Sequence, residues 1–450
     1  MITISTSPRN VSEVKYVLDI IFTERFKLDY RIDWIPGATE LTITLPNSST
    51  IKFNHDFFDR VEENNYISPK NLPQAITYAT HFLFPEDTLP IIYGTTLVSV
   101  EEKSVKFGFD IVATIFFMLT RWEEVLSNTF DKHTRARAED SVSRRFNFLH
   151  RPIVDEYIEV LKSAIQFLCP TLSLPNSIFS ALITHDVDEL RRWRKPLRYL
   201  KDCFDDIRGI KTWDDVQATI ARYITAPKDP YDTFDYIMNL SEQNGLASHF
   251  FFMSGGSSDL DNRYSITDSE TTTLIGRIRT RNHVIGFHPS YNAYIDSDQF
   301  TSELELLRSV TPHPILSGRQ HYLRFKVPDT WQIWENEGLE WDSTLLYADT
   351  LGFRAGTCHP FSVFNCNTRT HLTLKEIPLT VMESIACDDM RLSADQCEAQ
   401  INSAIDVVKK YNGTFVLLWH NSYFQLRNTR KYMRVYENTV RRLGQLCSQS

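Results

Sequence analysis

Ile178-Phe-Ser-Ala-Leu-Ile-Thr-His-Asp-Val-Asp188 is a short apolar run that ends in a polar cluster, and a basic helical stretch follows it. The same order recurs downstream. Ala247-Ser-His-Phe-Phe-Phe-Met precedes a helix expected near 268–280, and His283-Val-Ile-Gly-Phe-His precedes one at 297–310. Arg319 to Phe325 precedes a helix at 328–338, and Leu374-Lys-Glu-Ile-Pro-Leu-Thr-Val one at 393–411. Thr414-Phe-Val-Leu-Leu-Trp leads into a final helix at 428–446. Strands alternating with helices argue for parallel βα units. Six or more such units suit a barrel as readily as an open sheet. The expectation is an α/β chain whose C-terminal part is a distorted (β/α) barrel.

The upstream residues read differently. Glu40-Leu-Thr-Ile-Thr-Leu-Pro and Thr50-Ile-Lys-Phe alternate with period two, as half-buried strands do. Helices are expected over 109–126 and 152–168, and no catalytic constellation is visible there. Thr171-Leu-Ser-Leu-Pro-Asn-Ser has the turn chemistry of a junction. The boundary is therefore set near 176, dividing a smaller α/β N-terminal domain of unknown role (1–176) from the barrel (177–450).

Composition narrows the class. The chain has 450 residues, 42% hydrophobic and 23% charged, the proportions of an ordinary globular protein. Lys+Arg 48 against Asp+Glu 57 gives −9, which argues against a nucleic-acid binder. Seven cysteines, none in a CxxC pair, indicate neither a disulfide framework nor a zinc ribbon. The N-terminus lacks a secretory pattern, and the apolar run Ile111 to Leu119 is too short to span a membrane. A cytoplasmic location is expected.

The chemistry collects at strand ends. Asp186 and Asp188 end the first strand of the barrel, His288 the third, Arg324 the fourth and His420 the last. In a βα barrel those ends converge on one face, where active sites lie. Residues 186 and 188 of an extended segment point the same way, and two close carboxylates repel unless a cation or proton lies between them. They read as a metal ligand and a general base, or as strand-end turn and N-cap aspartates. His288 reads as a metal ligand or as a satisfied core histidine. His420 reads as a general acid or as a donor to backbone at the strand end. His283, mid-run, reads as structural.

These motifs, in this order, resemble the polysaccharide deacetylase family (carbohydrate esterase family four, the NodB-homology fold). The nearer resemblance is to a bacterial branch with an uncharacterised N-terminal domain. Thr184-His-Asp-Val-Asp, Gly286-Phe-His-Pro-Ser-Tyr, Arg319-Gln-His-Tyr-Leu-Arg, Gly352-Phe-Arg-Ala-Gly-Thr-Cys and Leu418-Trp-His-Asn carry it over about 177–425. Upstream, Leu89-Pro-Ile-Ile-Tyr-Gly and Met118-Leu-Thr-Arg-Trp-Glu-Glu look like that N-terminal domain. The resemblance implies Asp186 as base, Asp188 and His288 as metal ligands, Arg324 as the arginine that orients the base, and His420 as acid. The family's second metal histidine falls on Asn292, a weaker ligand, and His321 is the first substitute. The implied cofactor is a divalent metal, zinc first, with cobalt, nickel or manganese as alternatives.

Further residues bear on substrate. Arg354 and His359 could read a carboxylate or hydroxyls on a sugar, or Arg354 could fix a loop. Tyr291, Trp331, Trp334 and Trp419 could stack on a sugar ring, though most such aromatics are core. Arg191-Arg-Trp-Arg-Lys-Pro-Leu-Arg-Tyr-Leu-Lys could meet phosphates or an anionic membrane surface, or be a solvated basic helix face. The implied reaction is removal of an N-acyl group, acetyl first, from an amino sugar of a surface polysaccharide (O-antigen or capsule) or its nucleotide- or lipid-linked precursor. No nucleic-acid partner and no membrane span are expected, peripheral membrane association is left open, and the oligomeric state is not readable. The competing readings are a catalytically silent glycan-binding barrel, favoured by Asn292, and hydrolysis of a non-sugar amide on the same fold.

Overall fold

The period-two alternation at 40–54 folds as read. In the computed structural model, which describes all residues except 64, 194, 195, 209–212, 226, 227, 262, 263, 390, 391, 427, 428 and 450, Glu40–Thr44 pairs antiparallel with Thr50–Asn54, burying Leu41, Ile43, Ile51 and Phe53 on one face. They lie inside a six-stranded sheet ordered Tyr30–Trp34, Ile2–Thr6, Glu40–Thr44, Thr50–Asn54, Ser104–Phe109, Gly94–Glu101. Helix Ile111–Thr120 is buried throughout, and its N-cap Asp110 accepts from the Ala113 amide. The helix expected to run to 126 stops at Arg121. That residue takes a left-handed φ of 52°, and its buried guanidinium binds Glu123 and Glu124. Helix Ile153–Leu168 forms as expected.

The chain folds as two compact units, and neither is continuous in sequence. The first comprises Met1–Phe179 with Tyr322–Thr380 and Val407–Thr414; the second comprises Ser180–His321, Val381–Asp406 and Phe415–Ser450. Segments 322–380 and 407–414, which the sequence reading placed in the barrel, therefore cluster with the N-terminal segment. The physical reason is a hairpin. Phe361–Asn365 pairs antiparallel with Thr370–Glu376, and its turn is closed by the Asn365 side chain accepting from the amides of Asn367 and Thr368 at 2.9 and 3.1 Å. Within this unit Tyr16 donates to the Ser362 carbonyl at 2.9 Å, and Arg369 binds Glu13 through two bonds of 2.7 and 2.8 Å. The run expected as a barrel strand at 374–381 is thus split. Its start belongs to this hairpin, and only Val381–Met382 continues as a strand in the second unit.

In the second unit the βα rhythm is observed. Ser180–Val187, Ser248–Phe252, Val284–Phe287 and Ser317–Gly318 pair in parallel, with Asp186 opposite Phe251 and Phe251 opposite Gly286. On the other side of Ser180–Val187 lies Thr414–Leu418, which pairs in parallel with Val381–Met382. Helices Phe234–Gln243, Ser269–Thr280, Ser297–Val310 and Met433–Ser448 stand between or after these strands. This is the α/β, barrel-like strand–helix arrangement. One strand is shorter than expected. The run 319–325 leaves the sheet after Gly318, because Tyr322 and Leu323 take left-handed φ angles of 61° and 54°. No helix among the described residues is long and apolar enough to cross a membrane.

Gly318 lies opposite Phe287, hard against its backbone. A Cβ there would fall 1.8 Å from the Phe287 carbonyl oxygen, a backbone atom that cannot swing aside. Gly318→Ala is expected to cost about 2 kcal/mol, read as a lower denaturant midpoint. Gly276→Ala is the control: it lies in helix Ser269–Thr280 with nothing within 4 Å of its Cβ. There the exchange is expected to be neutral or to stabilise by up to about 1 kcal/mol.

Candidate metal centre and active site

Four strand ends of the second unit supply the site. Asp186 is the penultimate residue of Ser180–Val187 and Asp188 lies just beyond it; His288 follows Val284–Phe287; Arg319 and His321 follow Ser317–Gly318; His420 lies just past Thr414–Leu418. Strand geometry explains the first pair, since residues 184, 186 and 188 share one side of an extended chain.

The two histidines fix each other's chemistry. His288 Nδ1 lies 2.7 Å from the Arg319 carbonyl, and His321 Nε2 lies 2.8 Å from the Leu260 carbonyl. A carbonyl only accepts, so each ring carries a proton on that nitrogen and, in its neutral form, presents a lone pair from the other. Those two lone-pair nitrogens, His288 Nε2 and His321 Nδ1, face each other at 3.0 Å. Asp188 Oδ1 lies 3.3 Å from the first and 3.6 Å from the second, buried and without a hydrogen-bond donor. Three electron-rich atoms at these separations repel unless a cation or a proton is among them. The spacing is that of neighbouring ligands on one ion with bonds of about 2.0–2.2 Å. The donor set of two imidazoles and a carboxylate fits a divalent transition metal and leaves coordination positions open. Carbonyl anchoring of the remote imidazole nitrogen is the support metal-binding histidines ordinarily have.

Asp186 is held differently. Its Oδ1 accepts from Arg319 Nη1 at 2.9 Å, and the same nitrogen lies 2.9 Å from Thr184 Oγ1. Arg319 is fully buried, with its guanidinium 5.1 Å from the centre of the Phe251 ring. Asp186 Oδ2 lies 3.9 Å from His288 Nε2. Asp186 is thus a carboxylate oriented by one arginine, with its second oxygen turned toward the histidine pair.

His420 completes the site. Its Nδ1 bonds Glu383, whose Oε1 also accepts from the His420 amide at 3.0 Å, and its Nε2 lies 3.7 Å from Asp188 Oδ2. Burial works against the imidazolium, but the Glu383 carboxylate, backed by Asp188 and Asp186, outweighs it and pushes His420 up to about 10. A dication beside Asp188 would offset part of that field. Asp188 also resists burial: His321, His288 and His420 hold its carboxyl well below the usual range.

The sequence-predicted residues divide. Asp186, Asp188, His288, His321 and His420 come together. The arginine bonded to Asp186 is Arg319, and Arg324 Nε donates to the His133 carbonyl at 2.9 Å. Asn292 is exposed in the turn after His288, and the histidine in the metal group is His321. Tyr291 is half-buried, with its amide donating to Asp261 at 2.7 Å. Arg354 fixes a loop: it is buried in the first unit, binds Glu124 at 2.6 and 3.0 Å and donates to the Leu346 carbonyl. His359 is buried in the same unit against the Tyr411 carbonyl at 2.9 Å, and burial, then the Arg25 charge, pushes it down to about 4. Neither is a sugar reader on this geometry. Trp331, Trp334 and Trp419 are fully buried, which makes them core. In the basic stretch Arg191 binds Asp232 and Glu270, and Arg192 binds Asp202; Arg194 and Lys195 lie outside the described residues. The sequence reading missed Arg319 and Glu383. Both stand at strand ends, so the same rule finds them once the strands are bounded correctly.

A family of unknown function (DUF7033) matches residues 2–170. No match was found among curated proteins. Among solved structures, a Mycobacterium smegmatis protein assigned to the polysaccharide deacetylases is similar at 15% identity and a TM-score of 0.39, over 61% of this chain and 86% of that one. A probable polysaccharide deacetylase from Pseudomonas aeruginosa PAO1 is similar at 11% identity and a TM-score of 0.35, over 59% and 85%. The chitin deacetylase of the fungal pathogen Colletotrichum lindemuthianum is similar at 12% identity and a TM-score of 0.30, over 60% and 86%.

The geometry separates holding an ion from using it. Asp188→Ala, His288→Ala and His321→Ala are each expected to weaken divalent-metal binding by more than about a hundredfold, measured by titration of metal-stripped protein. Asp186→Asn and Asn292→Ala are expected to leave binding within about threefold of wild type.

Proposed function

We propose that the protein is a metal-dependent N-deacylase, acetyl being the expected acyl group, acting on an amino sugar of a bacterial surface polysaccharide or its nucleotide- or lipid-linked precursor. The observation that carries this reading is the convergence of three separate devices in one unit: a ligand triad, a carboxylate oriented by an arginine, and an imidazole bonded to a second carboxylate. Amide hydrolysis needs all three, because a water must lose a proton, an oxyanion must be stabilised and an amine must gain a proton. A binding module needs none of them together.

The residues divide the work as follows. Asp188, His288 and His321 would hold the ion, with zinc expected first and cobalt, nickel or manganese as alternatives. When bound, the ion supplies Lewis acidity toward a carbonyl oxygen and a water of lowered pKa. Asp186, aimed by Arg319, takes the proton of the attacking water. His420 gives the proton of Nε2 to the departing nitrogen, and Glu383 fixes the ring and stabilises its charged form. Asn292, the feature that favoured a silent barrel, is answered by His321. The sugar is inferred from the motif resemblance.

Release of acetate from N-acetylated nucleotide sugars and N-acetylglucosamine oligomers, measured with metal-reloaded protein, tests this. Asp186→Asn is expected to lower kcat by at least about a hundredfold with the ion retained. Glu383→Gln is expected to lower it roughly ten- to a hundredfold, also with full metal. A metal-replete wild type that cleaves no N-acyl sugar across such a panel would contradict the proposal.

A further inference from the structure

Directly after the strand that carries the two aspartates, helices Pro196–Ile207 and Trp213–Thr225 pack against each other. Their amphipathicity is turned outward. On the first helix Leu197, Leu200 and Phe204 recur at helical spacing and are 80%, 60% and 64% exposed. Lys201 and Arg208 are exposed on the same face. On the second helix Trp213, Ile220 and Ile224 share one face and are 69%, 36% and 74% exposed.

The polar groups point the other way. Asp202 accepts from Arg192 and, at 2.9 Å, from Trp193 Nε1. Asp206 accepts from the Tyr223 hydroxyl at 3.0 Å, and the Tyr199 hydroxyl donates to the Tyr223 carbonyl. Trp193, Tyr199 and Tyr223 close this inner side as a ring cluster. Among the described side chains, Asp202 and Tyr223 are buried and Asp206 and Tyr199 half-buried, while leucine, isoleucine, phenylalanine and tryptophan face solvent.

We propose that this pair of helices seats the protein on an anionic lipid surface. The six apolar side chains enter the boundary between headgroups and acyl chains, and Lys201 and Arg208 meet lipid phosphates. Exposed Trp, Phe, Leu and Ile beside Lys and Arg is the composition of helices that lie in a membrane interface, with tryptophan at headgroup depth. The charge pattern favours lipid over a second copy of the chain, because a two-fold pairing of this face would bring its own Lys201 and Arg208 together. Turning Asp202 and Asp206 inward removes two carboxylates that would repel an anionic surface. Residues 189–195 alone join Asp188 to the first helix, which caps their separation at roughly 30 Å. A seated protein therefore holds its metal group near lipid-tethered substrates. The seating itself does not depend on the deacylase reading.

The test is flotation of the full-length protein with phosphatidylcholine vesicles and with vesicles also containing phosphatidylglycerol, at low and high salt. Wild type is expected to float with the anionic vesicles, at least tenfold more weakly with the neutral ones or at high salt. Leu200→Gln/Phe204→Gln/Ile224→Gln is expected to lose at least tenfold in binding, with metal content and unfolding midpoint unchanged. Lys201→Glu/Arg208→Glu is the second variant, expected to lose the preference for anionic lipid. Absence of wild-type flotation with anionic vesicles would overturn the proposal, as would a triple variant that floats like wild type. Wild-type self-association in sedimentation, abolished by the same three substitutions, would assign the face to a second copy and overturn it as well.

Discussion

Two imidazole nitrogens face each other at 3.0 Å beside a buried carboxylate oxygen that has no donor. Most of the site's design follows from that arrangement. The rings cannot turn away, because each is tied by its other nitrogen to a backbone carbonyl, and the carbonyl on His288 belongs to Arg319. The same short segment thus fixes a ligand's tautomer through its backbone and orients Asp186 through its side chain. Displacing residues 317–321 would disturb metal ligation and the carboxylate beside it together. The tight approach at Gly318 is part of the same arrangement, since it draws this segment against the strand that ends at His288.

Around this centre two carboxylate pairings work in opposite senses. Arg319 orients Asp186 by donating to its Oδ1. Glu383 keeps His420 a donor, suited to give one. On the proposed reading, acid and base are separated by environment rather than by residue type, as catalytic pairs commonly are. The fold makes this possible because each role comes from a different strand end, so each partner is set by its own strand.

The sequence was legible where strands are long and apolar. The runs ending at Asp186, His288 and His420 declared their boundaries, so three strand ends and the residues beyond them were read correctly. It was less legible where an element is short. Ser317–Gly318 and Val381–Met382 have two residues each in the sheet, too few for period or length to register. Arg319 was therefore passed over for Arg324, and Glu383 was not seen. The left-handed turn at Tyr322 carries no glycine or asparagine to announce it. The division into units was only partly visible, because pairing of Phe361–Asn365 with Thr370–Glu376 is a local event whose partners in the N-terminal segment lie hundreds of residues away. Arg354 and His359 looked like substrate readers because polar residues in a distinctive loop carry no mark of burial.

The most direct measurement of the central claim is X-ray absorption fine structure on protein loaded with one equivalent of zinc. Two imidazole nitrogens and a carboxylate oxygen at about 2.0–2.2 Å is the result this account predicts. A first shell with a single imidazole, or a protein that takes up no ion, would contradict it.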